Sequence, residues 1–206
     1  MVNELLLKAE ELFFKYGVRS VSMDDISREL GVSKKTLYLH VESKADLVKK
    51  ATEEWLKSDL ESCLAILSDK KNAIDEMIEL GRHVVDLLKG LNPSFVYDLK
   101  KYYPEVWKLH EDYRWQNIAP ALHQNMLKGI EQGMFRADVN VEMISRLYIG
   151  KVDIMLSSSI FPSEKFKLVE LYAEFLKYHI HGIASAKGAK RLEKILSSNK
   201  RAENGA

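Results

Sequence analysis

The stretch that decides the fold lies at residues 22–47 and reads SMDDISRELGVSKKTLYLHVESKADL. Ser22, with Asp25 three residues later, has the spacing of a capping box, which starts a helix. Gly31 can adopt the left-handed backbone conformation that ends such a helix. Ser33 can then cap a second helix that runs from Lys34 to about His40. A short helix, a tight glycine turn and a second capped helix predict a helix-turn-helix.

The residues on either side extend this motif. Before it, apolar residues recur at helical spacing over residues 3–16, and Gly17 follows where a helix-ending glycine is common. After it, Ser43 can cap a long helix from Lys44 towards Leu67. We therefore predict an all-α protein with an N-terminal three-helix DNA-binding domain. A larger C-terminal helical domain would follow it.

The domain boundaries follow from this reading. We place the helix-turn-helix domain at residues 1–48 and the larger helical domain at residues 49–186. Residues 187–206 are basic and rich in polar and small side chains. This composition predicts a frayed tail.

The quoted stretch resembles the TetR family of bacterial transcriptional regulators. The family pattern is I-A-x-x-A-G-V-S-x-G-x-L-Y-x-H-F-x-S-K-x-x-L. The positions that match it in register are Ile26, Gly31, Val32, Ser33, Leu37, Tyr38, His40, Ser43, Lys44 and Leu47. Val41 departs from the usual phenylalanine, and Lys35 from the usual glycine or small residue. The resemblance implies a DNA-binding regulator whose larger domain commonly binds a small effector.

The side chains of this stretch suit DNA without reference to the family. The second helix of such a motif presents its N-terminal residues to the major groove. Its lysines can reach guanine edges or phosphates, and its threonine hydroxyl can reach either a base or a phosphate. The tyrosine and histidine at its end, and the lysine that opens the next helix, suit flanking phosphates. The predicted DNA-contacting residues are Ser33, Lys34, Lys35, Thr36, Tyr38, His40 and Lys44.

The distribution of charge along the chain also favours DNA binding by the N-terminal domain. The formal net charge of the 206 residues is only +1. Residues 33–50 nevertheless hold five lysines and two acidic residues, whereas residues 51–186 are acidic overall. A basic segment on an acidic body fits a protein that grips a polyanion with one end. The expected partner is double-stranded operator DNA.

Other functional classes find no support in the sequence. It contains no His-Glu-x-x-His pair, phosphate loop, dinucleotide fingerprint or nucleophile elbow. We therefore expect no enzymatic activity, no metal site and no cofactor. Cys63 is the single cysteine, which excludes an internal disulfide. The N-terminus lacks signal-peptide features and no apolar run reaches membrane length, so we expect a cytoplasmic protein without a membrane partner.

An aromatic cluster lies between Phe95 and Trp115 and has two interpretations. Aromatic residues at helical spacing usually form core, but they can also wall a ligand cavity. The predicted effector-binding residues are Tyr102, Tyr103, Trp107, His110, Trp115, Ile118 and Leu122. Four of them fall on one stripe of a regular helix, namely Trp107, Trp115, Ile118 and Leu122. Two regulators remain open: one released from DNA by a small effector, and one of the same fold controlled by a protein partner.

The last apolar segments predict a homodimer. A helix that is apolar on two sides needs two partners. One stripe near residues 141–157 holds Val141, Ile144, Tyr148, Val152 and Met155, and further apolar residues lie elsewhere on this helix, namely Met143, Leu147, Ile154 and Leu156. Near residues 165–181, one stripe holds Val169, Tyr172, Leu176 and Ile180, and another holds Leu168, Leu171, Phe175 and Tyr178. We expect one side of each helix to meet its own core and the other to meet a second protomer.

Overall fold

The computed structural model describes residues 2–68, 71–156 and 159–203, and the regular structure of these ranges is helical. The helices are α1 (Val2–Tyr16), α2 (Met23–Leu30), α3 (Lys34–Leu37), α4 (Lys44–Leu67), α5 (Ala73–Lys89), α6 (Ser94–Tyr102), α7 (Pro104–Tyr113), α8 (Ala119–Glu131), α9 (Val141–Met155), α10 (Leu168–Ile183) and α11 (Ala186–Glu203). A π-helical segment, Arg114–Ile118, separates α7 from α8. The all-α prediction is confirmed. None of the helices described is long and apolar enough to cross a membrane.

The chain divides into two compact units. The first unit contains Met1–Ser62 and Leu87–Asn117, and the second contains Cys63–Asp86 and Ile118–Ala206. Residues 49–62 and 87–117, which the sequence analysis assigned to the larger domain, therefore share a unit with the predicted DNA-binding domain. The predicted boundary at residues 48 and 49 remains a prediction about function.

A single apolar core holds the first unit together. Helix α1 contributes one stripe, because its buried residues recur at helical spacing. Helices α6 and α7 add Phe95, Leu99, Val106 and Trp107 to the same core. The aromatic cluster therefore supplies core packing to the unit that carries the helix-turn-helix.

The predicted stripe of Trp107, Trp115, Ile118 and Leu122 is wrong as a single α-helical face. The π-helical segment at Arg114–Ile118 interrupts the helix between these residues. A π turn places more residues in each turn than an α turn, so it changes which side chains share a face. Trp107 is buried, whereas Trp115 is 39% exposed.

The second unit has a separate core built from α5, α8, α9, α10 and α11. Its fully buried side chains include Ile74, Met77, Leu122, Ile180 and Leu192. The prediction of a frayed tail at residues 187–206 is wrong where the structure describes this segment, since α11 extends to Glu203. Arg191 donates two hydrogen bonds to Asp75, of 2.8 and 2.6 Å, and Leu192 is completely buried. These long-range contacts hold a segment whose composition alone suggests disorder.

Candidate nucleic-acid interface

Helix α2 begins and ends as the local sequence predicts. The Ser22 hydroxyl oxygen accepts the Asp25 backbone N–H at 3.1 Å, and the Asp25 carboxylate accepts the Ser22 backbone N–H at 2.9 Å. The hydrogen bonds from Ser22 lower the pKa of the Asp25 carboxyl. At the other end Gly31 has φ +66°, in the left-handed region that favours glycine. The turn therefore holds the two helices of the motif at a sharp angle through short-range bonds.

Helix α3 is shorter than predicted. The Ser33 hydroxyl caps it by accepting the Thr36 backbone N–H at 3.1 Å, but the α-helix ends at Leu37 rather than near His40. Leu39 and His40 continue the chain with N–H bonds to carbonyls three residues back, as in a tighter 3₁₀ turn. Leu37 and Val41 are buried beneath this segment. Valine therefore fills the position where the family usually has phenylalanine.

Two of the predicted DNA contacts face solvent on this segment. Lys35 is exposed and forms no ion pair with the residues that the structure describes. Tyr38 is 46% exposed. Lys34 is also exposed, but its ammonium lies 3.0 Å from the Asp24 carboxylate. DNA would have to compete with that carboxylate for Lys34.

Three other predicted contacts are engaged with the protein, namely Ser33, Thr36 and His40. The Thr36 and Ser33 hydroxyls lie 2.8 Å apart and bond to each other. Nε2 of His40 is buried and has no hydrogen-bond partner among the described residues. These side chains organise the base of the recognition segment in this conformation. Contact of His40 with a phosphate stays a prediction.

Lys44 opens α4 and lies against the turn between α1 and α2. Its ammonium donates to the Arg19 carbonyl oxygen at 3.3 Å. Burial lowers the pKa of Lys44, and the negative charges of Asp98 and Asp25 oppose that shift. Ser43 accepts the Asp46 backbone N–H at 3.1 Å and so caps the same helix. A capped helix start beside a lysine suits an incoming phosphate, because the first N–H groups of a helix attract anions.

Sequence reasoning missed one exposed residue on the recognition segment. Leu39 is 73% exposed, although it is apolar. An apolar side chain in the major groove can contact the methyl group of thymine. The available signal was an apolar residue between two predicted phosphate contacts, Tyr38 and His40, outside the buried face of α3.

The predicted effector residues are not all brought together. Tyr102, Tyr103, Trp107, His110 and Trp115 belong to the first unit. Within it the His110 ring stacks on Trp55 with centroids 6.0 Å apart and lies 4.9 Å from the Trp107 ring. Burial, reinforced by the charges of Arg114 and Lys100, lowers the pKa of His110 to about 3. His110 is therefore a neutral imidazole at ordinary pH, held between two indoles.

Ile118 and Leu122 belong to the second unit, where Ile118 is half-buried and Leu122 is completely buried. This unit also encloses polar groups that sequence reasoning did not select. The Tyr148 and Tyr172 hydroxyls are buried 2.7 Å apart, and burial raises the pKa of Tyr148 to about 12. The His179 ring lies 4.9 Å from that of Tyr148, and burial lowers the pKa of His179 to about 4.

Comparison with known proteins places the helix-turn-helix in a defined group. Residues 5–51 match the sequence profile of the bacterial regulatory proteins of the tetR family. The chain is 22% identical to the HTH-type transcriptional regulator YfiR of Bacillus subtilis over 189 residues, which cover 89% of this chain and 91% of the relative. This relative is matched along nearly its whole length, well beyond the DNA-binding segment.

Two solved structures share the fold at low identity. The transcriptional regulator FadR of Bacillus subtilis, solved with stearoyl-CoA, superposes with a TM-score of 0.65 at 18% identity, over 89% of this chain and 100% of that chain. A transcriptional regulator from Saccharomonospora viridis, solved with choline, superposes with a TM-score of 0.68 at 21% identity, over 89% of this chain and 97% of that one.

Proposed function

This chain belongs to the TetR family of bacterial transcriptional regulators, and we propose that it is a homodimeric repressor of a palindromic operator. The observation that carries the proposal is the exposed face of the recognition segment. Lys35, Tyr38 and Leu39 project from a turn that is capped at both helices and backed by a buried core. Such a face offers a cation, a hydroxyl and an apolar group to a major groove.

A second protomer would bind the second half-site of the operator. A single recognition helix reads only a few base pairs, so proteins of this type bind as dimers with half-sites about 34 Å apart or a multiple of it. The surface of the second unit supports such a dimer. Tyr148 and Ile149 of α9 are buried, while Met143 and Leu147 are 64% and 53% exposed on the same helix. On α10, Tyr172 is buried and Tyr178 is 68% exposed.

Leu147→Glu is expected to convert the protein to a monomer, because it places a charge on the apolar face that would meet the second protomer. Sedimentation at micromolar concentration should then report half the mass of wild type. Selection of binding sites from random DNA should return two inverted half-sites for wild type and one half-site for the variant. Leu127→Glu is the matched control, because Leu127 is 44% exposed on α8 of the same unit. A wild-type monomer, or an unpaired site selected by wild type, would contradict the proposal.

An effector would act through the helices that hold the DNA-binding face. The Asp98 carboxylate on α6 accepts the Arg19 backbone N–H at 3.0 Å, and the Asn92 backbone N–H donates to the Phe14 carbonyl at 2.7 Å. A displacement of α6 would therefore move the turn between α1 and α2. The ligand must prefer the displaced state, and couplings of this kind amount to about 1–3 kcal/mol.

We propose a small apolar or amphipathic effector. Buried aromatic walls with a few polar groups, such as those around His110, are typical of ligand sites. Stearoyl-CoA is the probe, because FadR of Bacillus subtilis was solved with it, and choline is the comparison ligand. A ligand at a hundred times its Kd stabilises a protein by about 2.7 kcal/mol. Stearoyl-CoA is expected to raise the Tm and to release a bound operator.

Substituting two tryptophans in turn distinguishes a residue of a pocket wall from a residue of the core. Trp107→Ala is expected to cost about 3–5 kcal/mol of stability, since Trp107 is buried in the core of the first unit. Trp115→Ala should cost less stability than Trp107→Ala, since Trp115 is 39% exposed, and should abolish the response to stearoyl-CoA. If neither probe shifts the Tm or the operator affinity of wild type, the alternative is favoured: a regulator of the same fold that is controlled by a protein partner.

A further inference from the structure

A ladder of alternating cations and tyrosines lies on the surface of the first unit. We define this ladder as Arg19, Tyr102, Lys101 and Tyr97, all of which are exposed. Nη1 of Arg19 donates to the Tyr102 hydroxyl at 3.0 Å, and the guanidinium lies 5.1 Å from the centre of the same ring. The Lys101 ammonium donates to the Tyr97 hydroxyl at 2.7 Å and lies 5.4 Å from the centre of the Tyr102 ring. These contacts join the turn after α1 to the C-terminal half of α6.

The positive charge of the ladder is not neutralised by the protein. Neither Arg19 nor Lys101 forms an ion pair with a carboxylate within the part of the chain that the structure describes. Asp98, an acidic residue that contacts this turn, is buried and accepts the backbone N–H of Arg19 rather than its side chain. Two unpaired cations held by tyrosines therefore face solvent at fixed positions.

The ladder is continuous with the DNA-binding face. Lys44, the predicted phosphate contact at the start of α4, donates to the carbonyl oxygen of Arg19 at 3.3 Å. The guanidinium of the same Arg19 bonds to Tyr102 on α6. Arg19, Lys44 and α6 all lie in one compact unit. The predicted phosphate contact Lys44 is therefore joined to the ladder through Arg19.

We propose that the Arg19–Tyr102–Lys101–Tyr97 ladder is an accessory site for the DNA phosphate backbone, outside the half-site read by the helix-turn-helix. The site rests on the proposed operator binding and extends it to DNA that flanks the half-site. Cations hold the phosphates electrostatically, and tyrosine hydroxyls can donate further hydrogen bonds to phosphate oxygens. Contacts of this kind add affinity without sequence preference.

The test compares two duplexes. One carries only the two half-sites, and the other carries the same half-sites with additional flanking base pairs. Each phosphate contact contributes about 0.9 to the slope of log K against log salt, and hence about eightfold in affinity near 0.1 M salt. A dimer of Lys101→Ala loses two contacts. We expect its affinity for the longer duplex to fall by about 60-fold at most, its salt slope to decrease by about 1.8, and its affinity for the short duplex to stay unchanged.

Lys108→Ala is the matched control. Lys108 is an exposed lysine on α7 of the same unit, paired with Asp112 at 2.8 Å. Its replacement should leave the affinity for both duplexes unchanged. Tyr102→Phe should weaken binding to the longer duplex alone, because Arg19 loses the hydroxyl that orients it.

Equal binding of both duplexes by wild type and by Lys101→Ala would overturn the accessory site, while operator binding itself would stand. An equal loss on both duplexes would also overturn it, because it would indicate a general defect of the helix-turn-helix. Failure of wild type to bind either duplex would instead remove the proposed operator function, and the accessory site with it.

Discussion

Replacing Lys35 and Tyr38 together by alanine is expected to weaken operator binding by at least about 100-fold, with the folded protein otherwise unchanged. Both side chains are exposed on the recognition segment, so their removal leaves the core intact. A contact to a base edge contributes about 1–3 kcal/mol, and each contact occurs in both half-sites of a palindrome. Lys35 can contact a base edge and Tyr38 a flanking phosphate, so the loss should be larger on the operator than on unrelated DNA, where only phosphates are contacted.

The measurement is a titration of labelled operator and of a scrambled duplex at fixed salt. Lys57→Ala is a suitable control, because Lys57 is an exposed lysine on α4 outside the recognition segment. The thermal unfolding of each variant shows whether the fold is retained. Wild-type affinity of the double variant for the operator would show that the recognition segment lies elsewhere.

Replacing Lys128 by methionine is expected to remove about 3–5 kcal/mol from the free energy of unfolding. Lys128 is the cationic partner of Glu76, a carboxylate that is completely buried in the second unit. Asn125 donates to the same carboxylate at 2.9 Å and also bonds to the Ala73 carbonyl at 3.2 Å. Without the ammonium, Asn125 is the donor to this carboxylate that remains among the described residues, and an uncompensated buried charge is strongly destabilising.

Chemical denaturation of three variants checks this expectation. Lys71→Met is the control, because it removes the partner of Glu79, which lies on α5 as Glu76 does. That pair is exposed and should contribute at most about 1 kcal/mol. Combining Glu76→Gln with Lys128→Met removes both charges and should recover part of the loss. A cost below about 1 kcal/mol for Lys128→Met would mean that Glu76 is not held by this ion pair.

The helix-turn-helix was predictable because its determinants are local. The capping bonds of Ser22 and Ser33 join residues three apart, and the left-handed turn needs only the glycine at position 31. The exposed positions of Lys35 and Tyr38 follow from the same short spacing. Local signals located the end of α3 less well, because the tighter turn after Leu37 depends on how Leu37 and Val41 pack.

The aromatic cluster shows where local signals end. Its helical spacing was correct from Pro104 to Tyr113, but the π-helical segment then changes the face on which Trp115 lies. The sequence also did not indicate that Trp107 packs in the core beneath the helix-turn-helix, since that contact joins distant parts of the chain. Whether these aromatics form core or pocket is a question of packing that periodicity alone does not answer.

By itself the sequence determined the all-helical class, the DNA-binding motif and the exposed positions of Lys35 and Tyr38. It did so because caps, glycine turns and helical periodicity act over a few residues. Only the tertiary structure decided that α6 bonds to the turn after α1, through Asp98 and an Arg19 N–H that lies 79 residues away in the chain. It also decided that Arg191 holds α11 by bonding to Asp75, across 116 residues. Such pairs are formed by the packing of whole helices, so no spacing in the sequence encodes them.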